Sequence, residues 1–260
     1  MWTYFIEDSR ATIVIVHGAG EHHGRYEWLA NKWNEHGINV VMGDLPGQGR
    51  TRGKRGHINS FSQYLDSVDE WVKEAEKQEV PVYLLGHSMG GLVAIRYMME
   101  KKNNIIKGLM LSSPCLGLYK PPSQGREMMS KALHRVSPSL TVNSGINSSL
   151  VTRNEEIREL YMRDELRVSK VSVRWYRELS KAMHLAIRYP EKMPDIPLVV
   201  MQAGDDKIVS KYAVKDWFDS LDIAEKAYKE WNGFYHEVFN EPEREDVFRY
   251  AVGFMNLWED

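Results

Sequence analysis

The chain has 260 residues, 43% of them hydrophobic, and a formal net charge of −2. That length suits one α/β domain with room for an insertion, and the charge balance gives no electrostatic reason to expect nucleic acid as a partner. A single cysteine, Cys115, excludes an internal disulfide framework and is compatible with a reducing cytoplasm.

The first residues, Met1 to Asp8, lack the basic start, apolar run and cleavage site of a signal peptide. No stretch approaches the roughly 18 apolar residues that span a bilayer. A cytoplasmic protein is expected, with room for peripheral contact with a membrane surface. Ile13-Val14-Ile15-Val16 is a β-branched run ending at His17-Gly18-Ala19-Gly20, and Ile38 to Met42 is another, ending at Gly43-Asp44. Val82 to Leu85 stops at Gly86, and Ile105 to Leu111 stops at Ser112-Ser113-Pro114. Continuous apolar runs of this kind fit strands buried on both faces. Between them lie helical stretches at Tyr26 to Glu35, from Phe61 to Ala75 and at Met89 to Met99. In the second, Tyr64, Leu65, Val68, Trp71, Val72 and Ala75 recur at helical spacing and make one buried face. Strand-helix-strand order predicts right-handed crossovers and a mostly parallel, doubly wound sheet.

The alternation stops at about Cys115. From there to about Pro194 no strand-like run is visible, and helical periodicity appears at Arg126 to Val136, Glu155 to Leu166 and Val171 to Ile187. Strand-helix order resumes with Pro197 to Met201, a helix near Ala213 to Leu221, a strand at Lys226 to Trp231 and a last helix from Arg244. The expected organisation is a core of residues 1–114 and 195–260, interrupted by a helical cap of residues 115–194. The cap is expected over the carboxyl ends of the strands, where open α/β sheets bind ligands.

Gly86-His87-Ser88-Met89-Gly90 is a G-x-S-x-G motif between a buried strand and an amphipathic helix, the context that turns such a motif into a nucleophile elbow. Ser88 is the expected nucleophile. A serine hydroxyl needs a histidine to take its proton and a carboxylate to hold that histidine in the right tautomer. Downstream of Ser88 stand His134, His184 and His236; the first two fall in the predicted cap, whereas His236 sits in a loop after the last strand. His236 is the expected base. The acid should follow the strand at Leu198, where Asp205 and Asp206 are adjacent, and spacing alone does not choose between them. Two backbone N–H groups should face the developing oxyanion. One belongs to Met89, after the nucleophile, and Ala19 is assigned the other, because His17 to Gly20 resembles the H-G-G-G stretch of esterases.

His17-Gly18-Ala19-Gly20-Glu21-His22-His23-Gly24-Arg25-Tyr26 closely resembles the H-G-x-G-E-H-S-G-R-Y stretch of the monoacylglycerol lipase and lysophospholipase family of α/β-hydrolases. Asp44 to Thr51 resembles the family's D-x-x-G-H-G-x-S, with Gln48 in place of the usual histidine and Thr51 in place of the serine. Gly86 to Gly91 and Gly233 to Glu237 match its nucleophile motif and its histidine loop. The likeness covers nearly the whole core and fades in the insertion. It is also similar to bacterial chains described as phospholipases of this group. The resemblance implies the α/β-hydrolase fold, and by position it selects Asp206 as the acid. It further implies hydrolysis of a single-acyl glycerol ester, a monoacylglycerol or lysophospholipid, through an acyl-enzyme on Ser88. Phospholipid deacylation and aminopeptidase activity are the alternatives on the same site, and a binding module on a hydrolase fold is the alternative outside enzymes.

No metal or organic cofactor is called for, and Glu21, His22 and His23 lack a second ligand cluster at suitable spacing. Arg50, Arg52, Lys54 and Arg55 form a basic run that reads as a solvated loop or as an attractor of phosphate or an anionic surface. Met128, Met129, Met162 and Met183 accompany Tyr161, Trp175 and Tyr176 in the insertion. Such residues pack a cap onto a core or adapt to flexible apolar ligands, and an amphipathic cap leaves room for transient contact with a membrane surface.

Overall fold

A computed structural model describes residues 1–101 and 105–257. Its centre is a seven-stranded sheet. The apolar runs become β2 (Ala11–Val16), β3 (Ile38–Met42), β4 (Val82–His87), β5 (Ile106–Ser112) and β8 (Leu198–Ala203), in each of which all residues, or all but one, are buried. The strand order is β1-β3-β2-β4-β5-β8-β9, with β9 at Lys226–Trp231. Every neighbouring pair is parallel except β1 (Trp2–Tyr4), which runs antiparallel to β3 at the edge. Edge strand β1 was not foreseen: three residues, the middle one exposed, are too short to show a period.

Alternate residues of each strand enter two cores. Val14, Val16, Val41 and Leu84 pack on one face, under α2 (Ser62–Glu76), α3 (Met89–Glu100) and α8 (Lys211–Asp219). Ile13, Ile15, Met42 and Leu85 pack on the other, under α1 (Glu27–Glu35) and α9 (Arg244–Asn256). Trp33 of α1 and Trp217 of α8 are among the largest fully buried side chains, one on each face. Full burial of such a side chain contributes about 1.5–3 kcal/mol. Two buried faces explain why these strands read as continuous apolar runs rather than alternating ones.

Between β5 and β8 lie α4 (Gln124–Val136), β6 (Thr141–Asn143), α5 (Ser148–Val151), α6 (Glu155–Arg163), β7 (Lys170–Ser172) and α7 (Val173–Arg188). The expectation of no strand between Cys115 and Pro194 is corrected here. β6 and β7 pair as a two-stranded antiparallel sheet of their own, three residues each and so without a legible pattern. β7 also shortens one predicted helix: Val171 and Ser172 belong to β7, and Ser172 caps α7 through its hydroxyl, which accepts from Trp175 N–H. α7 is rooted in the first core by Trp175, Leu179, Ala182 and Met183. None of the described residues of α4 is buried.

β2 has β3 on one side and β4 on the other, so the chain reverses direction across the sheet between β2 and β4. Val16 pairs with Gly86 at that point. The carboxyl ends of these two strands are where a doubly wound sheet opens a crevice for a ligand.

Candidate active site

The crevice is built first by a turn. Ser88 links β4 to α3 with φ 52° and ψ −118°, in the left-handed half of backbone space that an ordinary side chain avoids. The turn closes only because its neighbours are small. A Cβ on Gly90 would lie 2.1 Å from the Val16 carbonyl oxygen, and one on Gly86 would lie 2.5 Å from the Gly90 carbonyl oxygen. Backbone hydrogen bonds pin the strained residue on both sides: Ser88 N–H donates to the Ser112 carbonyl at 2.9 Å, and Cys115 N–H donates to the Ser88 carbonyl at 2.9 Å. Ser88 thus stands at the N-terminus of α3, whose free N–H groups and dipole favour negative charge.

Ser88 Oγ lies 2.8 Å from His236 Nε2, and His236 Nδ1 lies 2.7 Å from Asp206 Oδ2. All three residues are buried. Asp206 is held by two backbone donors on its other oxygen, Ile208 N–H at 2.8 Å and Val209 N–H at 2.9 Å. The two adjacent aspartates therefore differ in setting: Asp206 faces inward onto His236, while Asp205 is exposed. His236 follows β9 through a turn at Trp231 to Phe234. Burial works to lower its pKa, but the Asp206 charge and hydrogen bond outweigh it and leave the imidazole above its ordinary value. His134 and His184 stay on α4 and α7, half-buried and exposed respectively, away from the Ser88 cleft.

The loop after β2 lies against the elbow. A Cβ on Gly18 would meet Ser88 Cβ at 3.2 Å, and Ala19 lines the cleft beside Ser88 and His236. Met89 is the first residue of α3 and is buried. The polar wall of the cleft comes from Glu21, His87 and Glu237. Glu21 accepts from Gly18 N–H at 2.7 Å and from the Tyr26 hydroxyl at 2.6 Å. Arg25 Nη2 donates to both oxygens of Glu237, at 3.0 and 2.8 Å. Burial pushes both carboxyl groups up; His87, Arg25 and the Tyr26 hydroxyl bring Glu21 well below the usual carboxylate range. Glu237, facing the Glu21 charge, stays raised despite Arg25. His87 is driven down to about 4, chiefly by burial, and is neutral near pH 7. Ile146, Val151 and Tyr161 supply an apolar wall from the segment between β5 and β8, joined to the polar one where Glu237 N–H donates to the Val151 carbonyl at 2.8 Å.

Arg25, Tyr26, Glu237 and Tyr161 were not picked out as site residues from the sequence. The first three lie inside stretches that were noticed, Arg25 and Tyr26 at the end of the run from His17 and Glu237 at the end of the histidine loop, but were given no role there. Tyr161 was noted only among the aromatic residues of the insertion; tertiary packing is what sets its ring against Arg25, 4.7 Å from guanidinium carbon to ring centroid. The basic run also acquires a definite place. Arg55 donates to the Gly49, Leu166 and Arg167 carbonyls, and Lys54 to that of Ser139. Two of its four cations thus tie the β5–β8 segment to the core, and all four are exposed. His22 and His23 spend their ring nitrogens locally: His22 Nε2 is 3.1 Å from Asp164 and His23 Nδ1 is 2.8 Å from Asp44. Cys115 is buried among apolar groups, its thiol pushed up to about 12 by burial and by Asp206, with Met183 Sδ 3.8 Å away.

Comparison with known proteins places this geometry. The family described as "Serine aminopeptidase, S33" matches residues 7–243. A Bacillus subtilis protein named phospholipase YtpA is 52% identical over 258 residues, covering 99% of this chain and all of that one. The monoglyceride lipase of Rattus norvegicus is 30% identical over 255 residues, covering 96% of this chain and 82% of that one. The crystal structure of Paleococcus ferrophilus monoacylglycerol lipase superposes with a TM-score of 0.87 at 31% identity, covering 98% of each chain.

Proposed function

We propose the reaction from one premise: the chain belongs to the serine aminopeptidase S33 family of α/β-hydrolases, and it is a lipid ester hydrolase of the monoacylglycerol lipase and lysophospholipase type. Its substrate is a glycerol ester carrying one acyl chain, a monoacylglycerol or a lysophospholipid. The observation that carries the mechanism is the line of contacts from Ser88 Oγ to His236 to Asp206, at 2.8 and 2.7 Å.

In this reading His236 Nε2 takes the Ser88 proton as Oγ attacks the ester carbonyl, and Asp206 holds the ring with its Nδ1–H directed away from the serine. The negative oxygen of the tetrahedral intermediate lies at the start of α3, where the Met89 and Ala19 N–H groups donate to it. The imidazolium then gives its proton to the glycerol oxygen, the alcohol leaves, and Ser88 carries the acyl chain. Water, deprotonated by His236, attacks that acyl ester and releases the fatty acid. The two walls of the cleft fit the two halves of the substrate. Glu21, His87 and Glu237 offer polar partners to a glycerol head, and Ile146, Val151 and Tyr161 offer apolar surface to the chain.

Residues 115–194 act as a cap over the core of residues 1–114 and 195–260. Among the described residues no helix is long and apolar enough to cross a membrane. α4 carries Met128, Met129 and Val136, which are 70%, 57% and 79% exposed, and Arg126, Lys131 and Arg135 lie on the same helix. Apolar and cationic side chains on one exposed helix suit an anionic lipid interface.

Purified wild-type chain and Ser88→Ala, assayed side by side on monoacylglycerols, lysophospholipids, diacyl phospholipids and peptides with a free N-terminal residue, test the reading. The wild type is expected to prefer the single-acyl esters, and Ser88→Ala to lose activity by about 10⁴-fold or more. Hydrolysis retained by Ser88→Ala would sink the mechanism, and preference for peptides or diacyl lipids would sink the substrate.

A further inference from the structure

Gln48 departs from the residue its motif usually carries, and it is 1% exposed. Its Oε1 accepts from Gly20 N–H at 3.0 Å. Gly20 ends the loop that carries Ala19, so the peptide unit on the carboxyl side of Ala19 hangs on the Gln48 side chain. The unit on the amino side is held by His17. Leu45 N–H donates to His17 Nε2 at 2.9 Å, which leaves the ring proton on Nδ1, and Nδ1 lies 2.8 Å from the Gly18 carbonyl oxygen. Burial lowers the His17 pKa and keeps that tautomer neutral. In a trans peptide unit the C=O and the following N–H point in opposite directions. A fixed Gly18 carbonyl with a fixed Gly20 N–H therefore leaves the Ala19 N–H little freedom to turn.

Both holds come from one rigid element. Asp44 and Leu45 begin the turn from which Gln48 projects. Gln48 N–H donates to the Leu45 carbonyl at 2.9 Å, and the Thr51 hydroxyl donates to the Gln48 carbonyl at 2.6 Å. The opposite side of Gly20 faces the cap: its carbonyl accepts from Val168 N–H at 3.1 Å. With φ at +80° and only 2.8 Å from the site of a Cβ to the Val168 carbonyl oxygen, position 20 admits only glycine without strain. Gln48 has a second neighbour in Tyr64, whose hydroxyl accepts from Trp175 Nε1 of the cap helix α7 at 2.8 Å.

We propose that Gln48 is a positioning residue for ester hydrolysis: by holding the Gly20 N–H, while His17 holds the Gly18 carbonyl, it keeps Ala19 from turning and so maintains the direction of the Ala19 N–H that receives the oxyanion. The proposal rests on Ala19 being an oxyanion donor. Removing one such donor costs roughly 10²–10³ in kcat, and misaiming one costs about 10- to 100-fold. The loss falls on kcat rather than KM, because the oxyanion exists only past the ground state.

The test compares the full chain with Gln48→Met, close in size but without the acceptor, and Gln48→His, which restores an acceptor in the form the family motif uses. Steady-state hydrolysis of a water-soluble p-nitrophenyl butyrate and the thermal midpoint are measured for each. The expected result for Gln48→Met is a kcat about 10- to 100-fold lower, KM within about twofold and a midpoint within a few degrees, with Gln48→His recovering most of kcat. Should Gln48→Met not fold, Gln48→Asn, which withdraws the oxygen by one methylene, is expected to show the same kcat loss. Wild-type kcat in the folded variant, or equal losses in kcat and KM with no rescue by Gln48→His, would overturn the role of Gln48. Neither result touches the mechanism as a whole, which fails separately if Ser88→Ala remains active.

Discussion

The core and the 115–194 segment are held together by different means. In the core, β2, β4 and β8 are wholly buried, and the elbow at Ser88 is fixed by backbone hydrogen bonds and glycine contacts that leave no slack. In the segment, α7 is rooted in the first core together with single residues such as Leu116, Val171 and Met193, and α4 buries none of its described residues. Side chains reaching backbone carbonyls, as Arg55 and Lys54 do, supplement backbone hydrogen bonds such as Val168 N–H to the Gly20 carbonyl. The reacting atoms must be placed within fractions of an ångström, so they stand on the part whose geometry is over-determined. Met128, Met129 and Met162, adaptable side chains, stand exposed on the other part.

The largest effect that would break this division is in the core. Asp206→Asn should lower kcat by about 10⁴-fold on any ester, because an amide cannot hold His236 in the required tautomer. Asp205→Asn, one residue away but exposed, should stay within about twofold. Comparable losses for the two, measured on a soluble ester, would mean that position 206 is not the orienter.

A smaller effect concerns pH. His236 must be neutral to accept the Ser88 proton, and Asp206 raises its pKa above the ordinary 6.5. Activity should therefore fall as pH drops through a value above 6.5, about tenfold for each unit below it. A profile of kcat/KM against pH whose acid limb lies below 6.5 would contradict the balance of burial and Asp206 drawn from the geometry.

The smallest effect is expected in the cap. The double variant Met128→Ser with Met129→Ser should leave hydrolysis of a soluble short ester within about twofold. Its co-sedimentation with vesicles of anionic phospholipid should weaken several-fold, in line with the lost apolar area. A large loss on the soluble ester would show that α4 shapes the reacting centre and that the two regions are not separable in this way.

Several features were legible before any coordinates. The runs at Ile13 and Ile38 read as strands because each is short, rich in β-branched residues and closed by a glycine-containing turn, and Gly86 to Gly90 marked the elbow after a third run, at Val82. His236 was selected over His134 and His184 because only it follows a strand. What stayed illegible is short or cooperative. Strands β1, β6 and β7, of three residues each, carry no period, and the walls of the cleft are drawn from Glu21, His87, Tyr161 and Glu237, far apart along the chain.

The sequence by itself determined the order of strands and helices, the strained serine turn and the candidate base, since these depend on patterns within a few residues. Tertiary structure decided which aspartate faces His236, what Gln48 holds and where the basic run docks. Those are contacts across many tens of residues, and their geometry exists only once the sheet has brought the ends of β2, β4, β8 and β9 together.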